Sequence, residues 1–268
     1  MDMKLSGHLA LVTGSSQGIG HAVAEHLAGE GARVVVNGRD AKRTHDAAGA
    51  IRARAPKGVE VIAVPADVST EAGCKELISR VDAVGPLDIL VNNAGVYEVR
   101  PFAEITDAQW LGIFQTNVMS GIRLSRHWLP AMLKRDRGRI VFISSESALC
   151  IPTEMIHYGT TKTAQLSIAR GLAQMCAGTR VTVNSILAGP TRSEGVEQFI
   201  KDVARQRSIT PQAVEEEFFR TVRPNSLLKR FATVDEVAAM VAYVCSPLAG
   251  ATNGASLRCE GGVIPTIA

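Results

Sequence analysis

Tyr158 and Lys162 stand four residues apart in a stretch of helical periodicity, so their side chains share one face about one turn apart. A phenol titrates near ~10, and an ammonium beside it favours the phenolate and lowers that value. The pair is suited to exchanging a proton with a bound molecule. Ser145 precedes Tyr158 by thirteen residues, just past an apolar run at 139–144. A second constellation lies near the N-terminus. The run Thr13-Gly14-Ser15-Ser16-Gln17-Gly18-Ile19-Gly20 follows Leu9-Ala10-Leu11-Val12 and opens a stretch in which Ile19, Val23 and Leu27 recur every fourth residue. Strand, glycine turn and helix in that order let the backbone approach a pyrophosphate closely. The unpaired N–H groups of the helix start then face the anion.

Elements that would position these groups alternate along the chain. Apolar, Val- and Ile-rich runs at 9–12, 33–37, 59–64, 89–91, 139–144, 180–187 and 256–259 read as strands covered on both faces. Helical patterns fall at 18–30, 40–54, 70–84, 106–135, 153–177 and 233–246. Repeated βα units of this kind predict a single doubly wound parallel sheet of about seven strands, Rossmann-type, flanked by helices. With no composition break, residues 1–268 read as one domain. Pro65 ends the third strand, Ser69 caps the following helix, and Pro130 bends the long central one. The stretch 191–225 departs from the alternation. Val196, Phe199, Ile200 and Val203 share one helical face there. Val214, Phe218 and Val222 share another, after Thr210 as N-cap and Pro211 at N1. This segment reads as a helical lid whose inward residues are apolar, which favours a substrate with hydrocarbon surface.

In an open α/β sheet, ligands bind beyond the carboxyl ends of the strands. The glycine turn, Asp67, Asn92-Asn93-Ala94-Gly95, Ser145 and Gly189-Pro190-Thr191 all arrive at that edge. In this order, with the Asp67-Val68 pair, Asn117, Tyr158, Lys162, Asn253-Gly254 and Glu260-Gly261-Gly262, they make the chain resemble the short-chain dehydrogenase/reductase family over essentially its whole length. The resemblance implies an NAD(P)-dependent oxidoreductase that transfers a hydride between the nicotinamide and a carbonyl or secondary alcohol. It implies Tyr158 as general acid or base, Ser145 as hydrogen-bond partner of the reacting oxygen, and Lys162 on the cofactor ribose. It implies Asn117 as holder of a water, Asn93 at the adenine-side ribose, and Asp67 with Val68 at the adenine. Gly14, Ser16, Gln17, Gly18, Ile19 and Gly20 would cradle the dinucleotide, with Ala94 and Gly95 beside it. Pro190 and Thr191 would anchor the nicotinamide. Two positions depart from the family pattern: Gly189-Pro190 where Pro-Gly is usual, and Glu260 where Asp is usual.

NAD-binding sheets usually end the second strand with an acid that takes the adenine ribose hydroxyls. Here Gly38 stands at that place and Arg39 follows. An arginine suits a 2′-phosphate, so NADP(H) is favoured over NAD(H). An NAD-linked alcohol dehydrogenase is the alternative. A non-catalytic nucleotide-sensing module is disfavoured because Asn117, Ser145, Tyr158 and Lys162 are all present.

The formal net charge is +3, with both signs spread along the chain, which argues against a nucleic-acid binder. Five scattered cysteines without ligand spacing argue for reduced thiols and no metal site. No stretch has the length of a signal peptide core or membrane span, so a cytoplasmic protein is expected. Lys134, Arg135, Arg137 and Arg139 form a basic cluster where an acyl carrier protein could dock. Arg192 and Glu194 could meet a polar substrate group. Apolar residues pointing in more than one direction (Trp110, Phe114, Val118, Leu124 and Trp128; Leu166, Ile168 and Leu172) predict a homo-tetramer or homo-dimer.

Overall fold

A computed structural model describes residues 2–267. The element order is β1 Leu9–Val12, α1 Gly18–Gly29, β2 Arg33–Gly38, α2 Ala41–Arg54, β3 Val61–Pro65, α3 Glu71–Asp82, β4 Ile89–Asn92, α4 Asp107–Phe114, α5 Ser120–Lys134 and β5 Arg139–Ser145. The chain continues through α6 Ile156–Met175, β6 Thr182–Ala188, β7 Thr191–Arg192, α7 Glu194–Arg207, α8 Pro211–Thr221, β8 Ala232–Thr233, α9 Val234–Cys245 and β9 Ser256–Cys259. Seven strands form one parallel sheet in the order β3-β2-β1-β4-β5-β6-β9. The expected doubly wound, Rossmann-type architecture is therefore present.

Successive strand residues point to opposite faces, and both faces are apolar. Ala10, Val12, Val34, Val36, Val141 and Ile143 pack on one side with α1, α2 and α9. Leu9, Leu11, Val35, Ile140 and Phe142 pack on the other with α3, α5 and α6. That double coverage is why the strands read as continuous apolar runs. The strand order reverses between β1 and β4, which opens a crevice at their carboxyl ends.

Several boundaries differ from expectation. Pro65 is the last residue of β3 and pairs with Gly38. It is tolerated because β3 is an edge strand, so one side of it needs no ladder donor. The cap of α3 is Thr70, whose side chain accepts from Gly73 N; Ser69 N instead donates to Asp67 Oδ1 at 3.0 Å. Pro130 lies within α5 without ending it. The long helix expected at 106–135 is interrupted earlier, by a π-turn at Gln115–Met119. Such one-turn bulges often re-aim a side chain at a working site, and this one carries Asn117.

Thr210 caps α8 and Pro211 opens it, as expected. The apolar faces of α7 and α8 meet each other more than the strand edge, which only Val196 among their residues reaches. Ile200, Ala204, Val214, Phe219 and Phe231 form their own small core, with Val196, Val203 and Phe218 against it. Phe199 and Val222 are exposed instead. Val118, Leu124 and Trp128 are buried within this one chain, and Trp110 is half-buried. On α4, Leu111 and Phe114 remain exposed.

Candidate active site

Two glycines show how closely the turn after β1 is built. Gly14 has φ +62°, and a Cβ on it would lie 2.9 Å from Ala94 Cα. A Cβ on Gly20 would lie 2.4 Å from Asn93 Nδ2. Only bare backbone fits at either place. Asn93 ties the turn to β4: its Nδ2 donates to Thr13 O at 2.9 Å and Gly14 O at 3.0 Å. Thr13 Oγ1 accepts in turn from Asn93 N and Ala94 N. The Asn93 amide nitrogen is thus committed to shaping the glycine turn, and the residue lines both of the spaces described next.

A cleft of about 410 Å³ follows this turn. It is lined by Gly14, Ser16 to Gly20, Arg39, Asp67, Val68 and Asn93 to Gly95, the residues expected to cradle a dinucleotide. A second cavity of about 240 Å³ continues from it. Ile19, Asn93 and Gly95 line both, and the second adds Ser145, Tyr158, Lys162 and Thr191. Every expected site residue except Asn117 and Pro190 therefore lines one of two adjoining spaces. Asn117 is buried, with Oδ1 accepting from Val96 N at 2.8 Å and Nδ2 donating to Thr161 Oγ1 at 3.0 Å. Its main-chain carbonyl accepts from Gln165 Nε2 at 2.6 Å. Nδ2 spends both its protons, on Val96 O and Thr161 Oγ1, so a water would meet a spare lone pair of one of the two Asn117 oxygens. Pro190 O accepts from Ala232 N at 2.9 Å and anchors the chain after β8 begins its pairing with β7.

Lys162 Nζ donates to Ile143 O at 2.8 Å and to Gln165 Oε1 at 3.3 Å, and lies 5.5 Å from the centroid of the Tyr158 ring. Burial lowers its ammonium to about 8, with the Glu146 charge opposing. Tyr158 is pushed above the ordinary phenol value, first by burial and next by the Glu146 charge, while the Ser145 hydroxyl acts the other way. The expectation that the lysine would lower the tyrosine is thus reversed, because desolvation of the phenolate dominates. Tyr158 stays protonated at neutral pH.

Several participants were not visible in the sequence. Glu146 follows Ser145, is buried, and accepts a hydrogen bond from its hydroxyl. Arg223, from just past α8, closes an ion pair on Glu146 at 3.0 Å. Tyr97 lines both cavities and meets Tyr158 edge-on, with centroids 6.2 Å apart. Arg43 Nη1 lies 3.4 Å from Gln17 Oε1, beside the glycine run. Arg192 is held by Glu197 and Glu215 over the Phe231 ring, so it is not available to a substrate. Glu194 lines the glycine-turn cleft and not the inner cavity, and its Oε2 accepts from Gly18 N at 2.9 Å.

The basic cluster lies elsewhere. Arg139 begins β5, whereas Ser145 ends it, so the two stand at opposite edges of the sheet, on the order of 20 Å apart at the rise of a strand. Arg135 and Arg137 face Asp88 there. An acyl chain delivered at that edge would emerge away from the cavities.

Comparison with known proteins agrees with this arrangement. A family model described as short chain dehydrogenase matches residues 8–204. An uncharacterized oxidoreductase of Bacillus subtilis, YvaG, is 41% identical, with 100% of both chains covered. A D-beta-hydroxybutyrate dehydrogenase of Cupriavidus necator is 32% identical over 96% of this chain and 98% of its own. The solved structure of L-sorbose reductase from Gluconobacter frateurii, complexed with NADPH and L-sorbose, superposes with TM-score 0.92 at 31% identity, covering 100% of both chains. The chain belongs to the short-chain dehydrogenase/reductase family, NAD(P)-dependent oxidoreductases that act on CH–OH groups. No helix among the described residues is long and apolar enough to cross a membrane.

Proposed function

We propose that the protein is an NADP(H)-linked carbonyl reductase, with Tyr158 as proton donor to the substrate oxygen. The observation that carries this reading is the meeting of Ser145, Tyr158 and Lys162 in a cavity continuous with the glycine-turn cleft. The cleft fits a dinucleotide: bare backbone at Gly14 and Gly20 leaves room that a Cβ would fill, and the N-terminus of α1 opens into it. When bound, the nicotinamide supplies the hydride. Ser145 positions the oxygen, and Tyr158, protonated in its buried setting, delivers the proton. Lys162 lies 5.5 Å from the tyrosine ring centroid and lines the inner cavity, where it would hold the cofactor ribose.

Support for NADP(H) comes from the end of β2. A Cβ on Gly38 would lie 2.8 Å from Thr44 Oγ1 and 3.0 Å from Ser16 Oγ, so an acid cannot stand there without displacing both. Arg39 lines the cleft and Arg43 approaches it beside Gln17. Two guanidiniums at the adenosine end suit a 2′-phosphate. The NADPH-bound L-sorbose reductase of the same fold is consistent with this choice.

Most of the apolar face of the 191–225 lid packs on itself and on Phe231, and of that face Val196 alone lines the cavity of Ser145 and Tyr158, so support for an apolar substrate narrows to that side chain. The homo-oligomeric expectation rests on Leu111 and Phe114, the exposed apolar pair of α4. The test is NADPH consumption at 340 nm, a general property of the cofactor, against a panel of ketones and ketoses. Turnover of a carbonyl by the wild type and none with the cofactor alone supports the reading. A purified, folded protein that turns over no member with either dinucleotide overturns it.

A further inference from the structure

Ser145 is followed by a carboxylate that the cofactor cleft does not use. Glu146 is 4% exposed. Its Oε2 accepts from Ser145 Oγ, and its Oε1 accepts from Arg223 Nε at 3.0 Å. The Arg223 side chain is 12% exposed, and its Nη1 lies 3.9 Å from Glu154 Oε1. The carboxylate therefore stands between a serine that lines the inner cavity and an arginine that lines an outer one of about 490 Å³, which also presents Glu154, Thr221 and Asn225.

Donor counting gives this arrangement a consequence. A serine hydroxyl carries one proton. Ser147 N donates to Ser145 Oγ at 3.1 Å, and the hydroxyl's own proton goes to Glu146. An ionised carboxylate is a stronger acceptor than a neutral carbonyl. A plain ketone must compete with Glu146 for that proton and does so poorly. A substrate with a hydroxyl on the carbon beside its carbonyl brings its own donor. When that hydroxyl takes the place of Ser145 on Glu146 Oε2, the Ser145 proton turns to the carbonyl oxygen. Arg223 pairs with Glu146 at 3.0 Å and lines the outer cavity, toward which the rest of a hydroxylated chain would run.

We propose that Glu146 and Arg223 select a polyhydroxylated carbonyl substrate, the hydroxyl beside the reacting carbonyl donating to Glu146 and the remaining chain running toward Arg223. This rests on the reading of the site as a carbonyl-reducing one, and it names the substrate class of that site. Glu146 and Arg223 are specificity-determining residues in this account, and the proton still passes from Tyr158.

The experiment compares hydroxyacetone and a ketohexose with 2-butanone, using NADPH, in the wild type, Glu146→Gln and Arg223→Lys. In the wild type, kcat/KM for hydroxyacetone should exceed that for 2-butanone by about tenfold to a hundredfold, the worth of one hydrogen bond to a charged group. In Glu146→Gln this ratio should fall by at least about tenfold, with KM for hydroxyacetone rising. A residue that only held the fold together would lower both substrates alike. Arg223→Lys retains the charge and should keep the hydroxyacetone ratio while raising KM for the ketohexose. The wild-type comparison needs no variant to fold. Turnover of both ketones without preference for the hydroxylated one, or an unchanged ratio in a folded Glu146→Gln, overturns the proposal and leaves the reductase reading standing. Absence of turnover on all three carbonyls in the wild type removes the reductase reading and the proposal with it.

Discussion

The Glu194 carboxylate accepts a hydrogen bond from the backbone N–H of Gly18 at 2.9 Å. A lid residue thereby occupies an amide that the glycine turn would otherwise turn toward a pyrophosphate. A dinucleotide brings negative charge to the same place, so Glu194 has to withdraw as it enters. Glu194→Gln should tighten NADPH binding, by about threefold to tenfold for one partly exposed like-charge contact. Titration of protein fluorescence, with association followed by stopped flow, measures this directly. Equal affinity and rate in the variant and the wild type would show that the contact does not oppose binding.

Cofactor choice is the second expectation. Arg39 and Arg43 together should favour NADPH. A charge-assisted pair in an exposed setting supports on the order of tenfold in affinity. Arg39→Ala should weaken NADPH about tenfold with little effect on NADH, and the Arg39→Ala/Arg43→Ala double variant should abolish the preference. The ratio of Kd values for the two dinucleotides is the readout. Placing an acid at residue 38 is a poor converse test, because the side chain would collide with Thr44 and Ser16. Equal loss of both cofactors on removing Arg39 would assign that residue to the adenine rather than to the phosphate.

Lys162 carries a pH dependence. Its ammonium is lowered to about 8 by burial, while the unfolded chain titrates near ~10.4. Between those values the unfolded state binds more protons than the folded one, so the contribution of this group to stability rises with pH. Below about 8 both states are charged, and no slope arises from it. The difference in Tm between the wild type and Lys162→Met, without dinucleotide, should therefore grow in favour of the wild type from pH 8 to pH 10. A difference that stays flat or shrinks over that range would mean that Lys162 is not desolvated.

Much of this molecule could be read from the sequence because the signals are local. The alternating strands and helices came through within two or three residues, apart from the break in the long helix at Gln115–Met119, since apolar runs covered on both faces need no partner information to be recognised. The glycine run, Asn93, Ser145, Tyr158 and Lys162 follow strand ends or share a helix turn, and sheet topology then brings them together. What the sequence hid is what arises between distant segments. Glu146 and Arg223 are 77 positions apart, and either alone reads as a solvated charge. The apolar faces of α7 and α8 were visible, but not that most of their residues close on Phe231 and that only Val196 among them lines the inner cavity. Arg137 looked like part of a free basic surface because Asp88, its partner, lies 49 positions earlier. The π-turn that carries Asn117 leaves no compositional mark. Arg43 had a legible cue, one helical turn past Arg39 on a helix that opens at the cleft.

Tyr158→Phe tests the central claim most directly, because it removes one hydroxyl and leaves the ring, the glycine turn, Asn93 and Lys162 in place. The measurement is kcat on an accepted carbonyl alongside Kd for NADPH by fluorescence. Loss of a positioned general acid lowers turnover by about a hundredfold to ten-thousandfold, so kcat should fall by that much while the NADPH Kd stays within about twofold of the wild-type value. Turnover near the wild-type rate would contradict the assignment of Tyr158 as the proton donor.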